Sequence, residues 1–274
     1  MAYSIQSFFH LVNLVETNEF VDSLIINIDE NINCFLLNLT NLTCLEFGRY
    51  NQITNLSKLT KLKYLKFGWD FNQPTNFSNL FELEYLKFGQ KYDQPTDLSN
   101  CIALEYLEFG NKFNQPMNIS NLTELEFLKF GYHYNQLTDF SPIVKLRHLE
   151  FVFCYNQIIN VSKLSKLTHL SFGEKFNQPI ILPDLLELKH LEFGDRFNQP
   201  VDLSNLFDLK HLEFGMDYNQ PTELSKLEKL IYLKFGNSYN QKTDLSNLKK
   251  LKKLDAKSLK SFDLVTYKNG IFFS

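Results

Sequence analysis

Residues 65–86 read LKFGWDFNQPTNFSNLFELEYL, and the phrase returns with its Asn-Gln every 21 residues, from Asn51-Gln52 to Asn240-Gln241. Ten copies share it, with Asp93-Gln94 alone varying the Asn. A fixed period of this size predicts a solenoid, in which each copy buries its apolar face only against its neighbours. Leu65 and Phe67 alternate with Tyr64 and Lys66, the period of two of a short strand with Leu and Phe inward. The inward Phe recurs in all ten copies, from Phe47 to Phe235, and predicts one stacked wall of the core.

Gly follows that Phe in nine copies, with Val152 the exception. Either the position needs positive φ or it lacks room for a Cβ, and glycine meets both. After two variable residues comes an aromatic column, Tyr50 to Tyr239, whose mixture of Tyr and Phe implies buried rings with tips near water. The Asn that follows can donate to and accept from main-chain groups, so stacked copies predict an asparagine ladder, buried and bonded to turn backbone. Gln178 is expected to matter less than Asn177 if it faces water. Pro at 74, 95, 116, 179, 200 and 221 stops the strand. The recurrent Ser can cap a helical turn, and apolar residues three apart, as at Leu80, Leu83 and Leu86, suit a turn or two of 3₁₀ or α-helix, or a loose bend. The fold class expected is an α/β repeat solenoid, with a parallel strand ladder and short helical or irregular return legs. About ten short strands near ~4.8 Å apart would make it right-handed and elongated, roughly 45 to 50 Å long.

The chain has 274 residues and a net charge of -3, with both signs interspersed. No long basic stripe tracks a phosphate backbone, so nucleic acid is not the expected partner. Met1 to Cys34 lacks a secretory signal and no run approaches ~18 apolar residues, which predicts no membrane association and a cytoplasmic protein, in a host's cytoplasm if the chain is viral. Most of the Asn-x-Ser/Thr sequons, among them Asn55, Asn76 and Asn118, are then by-products of the repeat's turn. Cys34, Cys44, Cys101 and Cys154 have no paired close spacing and read as free, buried or inert thiols. Both ends leave the repeat. Residues 1–35 are expected to form a cap, with a helix carrying Phe8, Phe9, Leu11, Leu14 and Val15 and an alternating strand from Leu24 to Ile28. The solenoid is expected over 36–256. Residues 257–274 form a second cap, and lysines including Lys249, Lys252, Lys257 and Lys260 make the terminal turn a charged, solvated face that resists end-to-end stacking.

The outward face of the strands is the informative surface. Its first column reads Tyr64, Tyr85, Tyr106, Phe127, His148, His169, His190, His211 and Tyr232, and its second includes Lys66, Lys87, Glu108, Glu150, Glu192 and Glu213. Rings bordered by Glu and Lys form the candidate partner-binding ribbon, since such surfaces suit protein recognition. The competing reading is that the rings only stack to stabilise adjacent strands. Four neighbouring imidazoles cannot all charge without repulsion, so their protonation is expected to spread over a broad range around ~6.5. Two imidazoles and a Glu are ligand types that Zn²⁺ takes, but an open ribbon lacks an enclosing shell, and no metal site is assigned.

The phrase Phe71-Asn72-Gln73-Pro74, preceded by Leu65-Lys66-Phe67-Gly68 and repeated near 21 residues, resembles the FNIP repeat, a leucine-rich-repeat-like family of amoebal and giant-virus proteins. The resemblance spans about residues 36 to 256, with Gln where the family name has Ile. Some proteins of that kind carry an amino-terminal F-box, which would imply an adaptor of a ubiquitin ligase. Here the first 40 residues lack the Leu-Pro and helical Leu/Ile spacing of that module.

No phosphate loop, Cys-x-x-Cys pair, His-Glu-x-x-His helix or Gly-x-Ser-x-Gly elbow is present. The Ser and Asp/Asn of Asp202-Leu203-Ser204 recur from turn to turn, as structural caps do, whereas catalysis needs one unique site. The sequence therefore predicts no enzyme, no catalytic residue and no cofactor. It predicts a monomeric protein-interaction scaffold with an unidentified protein partner on its strand face. A ubiquitin-ligase adaptor and a purely structural repeat protein are the alternatives.

Overall fold

Each repeat contributes one strand because its alternating residues bury every second side chain, and the strands pair in parallel because every copy repeats the same path. The computed structural model describes residues 2–5, 7, 21–182, 185–256 and 272–273. They fall into two units, residues 1–143 and 144–274. In the first, β1 (Ala2–Ile5), β2 (Ser23–Ile26), β3 (Cys44–Phe47), β4 (Tyr64–Lys66), β5 (Tyr85–Lys87), β6 (Tyr106–Glu108) and β7 (Phe127–Phe130) lie side by side in chain order. In the second, β8 (His148–Phe151), β9 (His169–Ser171), β10 (His190–Glu192), β11 (His211–Glu213), β12 (Tyr232–Lys234), β13 (Lys253–Asp255) and β14 (Phe272–Phe273) do the same. Pairing within each unit is parallel and in register, as in Tyr64↔Tyr85 and His190↔His211. Each unit is thus a leucine-rich-repeat-like parallel β solenoid.

The core of each turn is the one the pattern predicts. Leu65, Leu80, Leu83 and Leu86 are fully buried, with Phe67 beneath them. Successive Phe rings stack at 5.6 Å (Phe67–Phe88) and 5.0 Å (Phe88–Phe109) in the first unit, and at 5.8 Å (Phe172–Phe193) and 5.6 Å (Phe193–Phe214) in the second. Each also stacks on the aromatic residue four positions on, as Phe214 does on Tyr218 at 3.9 Å.

Close approach of successive turns decides the glycine column. A Cβ on Gly89 would lie 1.7 Å from the carbonyl oxygen of Gly68, and one on Gly110 would lie 2.0 Å from that of Gly89. Val152, the exception, turns its side chain to solvent.

Of the helical and irregular forms expected, the return legs take the irregular one. Leu80 N–H bonds to Phe77 C=O at 3.0 Å and Leu83 N–H to Leu80 C=O at 3.3 Å, two separate three-residue turns rather than a continuous helix. Three residues per turn bring every Leu to the inner face. The cap is not the Ser side chain. The residue two places earlier accepts the Ser N–H, as Asn76 does from Ser78 and Asp97 from Ser99, both at 2.9 Å. In the first unit the residue after Ser adds a bond between turns: Asn79 Nδ2 donates to Ser57 C=O and Asn100 Nδ2 to Ser78 C=O. Among the described residues the one α-helix is α1 (Asn33–Leu36).

The asparagine ladder is present, half-buried rather than buried. The N–H of Asn198 donates to Asn177 Oδ1 at 2.9 Å, and that of Asn177 to Asn156 Oδ1 at 2.9 Å. Gln is part of it, since Gln199 Nε2 also donates to Asn177 Oδ1, at 3.2 Å. Asp93 fits because the turn above uses only its oxygen, which accepts from Asn114 N–H and Gln115 Nε2. At the amino end Asp29 takes the Asn role, accepting from Asn51 N–H at 2.7 Å. The strand expected over Leu24 to Ile28 is β2, which pairs with β3 in the repeat's register. The helix expected around Phe8 to Val15, and the cap residues Lys257 and Lys260, lie outside the described residues.

Candidate functional site

Each of the strands β4 to β12 turns two side chains outward, one ring and one polar residue two places on, and the parallel register lines them into two columns per unit. In the first unit Tyr64, Tyr85, Tyr106 and Phe127 stack face to face at 4.3 to 4.4 Å. In the second His148, His169, His190 and His211 stack at 4.0 to 4.1 Å, and Tyr232 continues the column at 4.3 Å from His211. The rings lean together, closing the ~4.8 Å spacing of parallel strands. Lys253 Nζ sits over the Tyr232 ring at 5.1 Å. The stacking expected of these columns is therefore real. It consumes the ring faces and leaves most edges and polar tips half-exposed, although His190 Nε2 is buried without a hydrogen-bond partner.

The second column is tied together by charge. Lys66 pairs with Glu46 at 2.6 Å and Lys87 with Glu108 at 2.9 Å, while Tyr106 donates to Glu108 at 2.6 Å. In the second unit each Glu meets the imidazole of its own strand: His148–Glu150 at 3.2 Å, His190–Glu192 at 3.6 Å and His211–Glu213 at 2.9 Å. Lys234 adds a contact to Glu213 at 3.0 Å. Hydrogen bonding to His211 and then to Lys234 holds the Glu213 carboxyl down at about 2. His169 has Ser171 where the others have Glu, and Ser171 Oγ instead donates to Glu192 at 3.3 Å. Burial, and then the imidazoles of His148 and His190 on either side, push His169 down to about 3. Burial raises the Tyr85 phenol to about 12 and also raises Tyr106, so both stay neutral donors.

The fourteen residues of the expected ribbon, six in the first unit and eight in the second, thus fall on these outward columns, and Phe127 completes the first ring column. Sequence reasoning passed over what lies beside them. A groove of about 310 Å³ along the second unit's strands is lined by Glu150, Glu192 and Glu213 together with Glu174, Asp195 and Lys234. Its signal was the charge at the two variable positions after the glycine. A second exposed column follows the repeat's Gln, where Pro gives way to Ile53, Leu137 and Ile158.

Among the described residues no three His, Cys, Asp or Glu side chains are grouped to hold a metal ion, and no helix is long and apolar enough to cross a membrane. The four cysteines form no disulfide; Cys101 is buried, which raises its thiol to about 12, whereas Cys34 is exposed.

Comparison with protein-family models and with curated protein sequences gives no match. Among solved structures the chain is similar to the giant-virus protein CroV588, a novel circular LRR protein, with 31% identity and a TM-score of 0.61 over 87% of this chain. It spans 44% of CroV588, less than half of that protein's length. An internalin, InlF of Listeria monocytogenes, is similar at 24% identity and a TM-score of 0.64, covering 86% of this chain and 74% of its own. Toll, in the Toll–Spatzle complex of Drosophila, has a TM-score of 0.63 at 13% identity, over 87% of this chain and 36% of its own. The strand ladder and these likenesses define the class: a leucine-rich-repeat-like repeat protein.

Proposed function

We propose that the chain is a non-enzymatic interaction scaffold that takes a protein partner along the ribbon of Tyr, His, Lys and Glu on its strand face. One observation carries the reading. The ring faces are used up within each stack, so what the ribbon offers is a row of edges, hydroxyls, ring nitrogens and ion pairs, which suits hydrogen bonding by a protein surface. A single strand held by base stacking needs open ring faces, and the ribbon presents none between its rungs, which argues against that mode of nucleic-acid binding. The polar groups of the turns recur in most copies, the pattern of structure rather than of one reaction centre. Toll, similar in fold, forms a complex with Spatzle, a use of such a solenoid in keeping with this one. The repeat itself we assign to the FNIP kind on its Phe71-Asn72-Gln73-Pro74 phrase, and its likeness to CroV588 fits a giant-virus source and an intracellular place of action.

The test compares two sets of variants as bait for the same bound protein. His148→Ser with Lys87→Ser disturbs the ribbon, and Leu137→Lys with Ile181→Lys disturbs the exposed corner, where these side chains are 73% and 82% exposed. Loss of the partner with the ribbon variant alone supports the reading. Retention there, or equal loss with the corner variant, contradicts it.

A further inference from the structure

The two ribbons carry opposite charge along one border. In the first unit that border is Lys129 on β7, Lys87 on β5 and Lys66 on β4; in the second it is Glu150 on β8, Glu192 on β10 and Glu213 on β11. Read in opposite directions, from β7 back to β3 and from β8 on to β12, these lysines and glutamates fall on the same rungs. The remaining two rungs agree. Glu108 on β6 matches Ser171 on β9, a carboxylate against a hydroxyl, and Glu46 on β3 matches Lys234 on β12, so the sign reverses in both ribbons together. Read in the same direction, the match fails: Glu46 meets Glu150, Glu108 meets Glu213 and Lys129 meets Lys234. Matched with its own kind in reverse, each ribbon brings its central charge, Lys87 or Glu192, against itself.

Resting on the reading that the strand face receives a protein, we propose that its occupant is a second copy of this chain, the first-unit ribbon of one lying against the second-unit ribbon of the other in reversed order. Both ribbons have one strand per rung at ~4.8 Å, so a match at one rung carries to the next. The central columns then oppose Tyr and Phe to His, with Tyr85 against His190 and Tyr64 against His211. The outer border just before the rings adds Glu126 against Arg147 and Glu84 against Lys189. Its one like pair, Lys63 against Lys210, is relieved by Glu84, which holds Lys63 at 2.7 Å. Each copy offers one ribbon of each kind, so every copy can both give and receive this contact. The ion pairs within each chain stay partly open to solvent, whereas opposed charges desolvated between two surfaces couple more strongly.

Sedimentation velocity of the full chain tests this, with Lys66→Glu/Lys87→Glu as one variant and Glu192→Lys/Glu213→Lys as the other. The wild type should dimerise at low ionic strength and weaken with salt. Each variant alone should dimerise about tenfold more weakly or worse, and their equimolar mixture should recover, since each supplies the charges that the other now matches. The fourfold swap within one chain should self-associate again, which guards against a variant that merely misfolds. A monomeric wild type at low salt, as the sequence alone suggests, overturns the proposal, as does a mixture no stronger than its parts. Either result leaves the broader reading standing if the ribbon variants still lose a different bound protein, and removes both if they lose none.

Discussion

Tyr218 and Thr222 show how little the repeat leaves to chance at the level of single atoms. Thr222 Oγ1 donates to Gln220 C=O at 2.9 Å, so the Tyr218 hydroxyl, 2.7 Å away, donates to Thr222. In three of the four copies whose ring is Phe the partner position is apolar, as in Phe176 with Ile180 and Phe197 with Val201, while Phe71 keeps Thr75. Thr222→Val should therefore cost about 1–3 kcal/mol by stranding a buried hydroxyl, while Tyr218→Phe/Thr222→Val, which rebuilds the preceding copy, should cost less than the two single changes summed. Urea unfolding of the four proteins checks it, and strict additivity would contradict the pairing. The ladder gives a second contrast. Asn177→Ala removes the acceptor for Asn198 N–H and Gln199 Nε2 and should cost about 1–3 kcal/mol, whereas Asn177→Asp, which keeps the oxygen as Asp93 does, should cost far less. Gln178→Ala loses its bond to Asn156, 3.2 Å long, and should cost about 0.5–1.5 kcal/mol rather than nothing.

Elements respond to pH through two kinds of group. His169, flanked by His148 and His190, is held at about 3 against an ordinary 6.5, so the unfolded chain takes up this proton before the folded one. The ring therefore subtracts stability as pH falls from about 6.5 to about 3. His169→Phe, which keeps a stacking ring as Phe127 does, should flatten the pH dependence of the melting temperature across that window, and an unchanged slope would contradict it. The turn carboxylates act the other way. The Ser N–H two places on holds Asp97, Asp139, Asp202 and Asp244 below the ordinary 3.8, so each supports folding above that value and loses its contribution as pH falls through its lowered one. Asn fills the same position in the copies with Asn55, Asn76 and Asn118. Replacing the four Asp by Asn should keep the turns and shrink the acid loss of stability, measured as the melting temperature between pH 5 and 2 (about the range of exposed carboxylates).

Across the molecule the readable part was whatever the period enforces. Phe67, Gly89 and Leu86 recur because a stacked turn admits little else, and their columns gave the strands, the core and the outward rings directly. The rest turned on direction rather than identity. Gln199 looks like a surface residue until its amide is seen to reach back to Asn177, and Ser78 looks like a cap because the sequence does not show that Asn76 accepts its N–H. The return legs were ambiguous for the same reason, since Leu80 and Leu83 three apart fit single turns as well as a helix. The opposed charges of Lys87 and Glu192 were plain in the sequence, but matching them rung by rung requires the register that places β5 and β10. The central claim is that the strand ribbon, not the turn corners, receives the partner. Hydroxyl-radical footprinting of the chain alone and in its complex tests this most directly. Protection at Tyr64, Tyr85, Tyr106, His148, His190 and His211, with Ile53, Leu137, Ile158 and Ile181 unchanged, is the predicted result; protection of those corner residues with the rings unchanged would contradict the account.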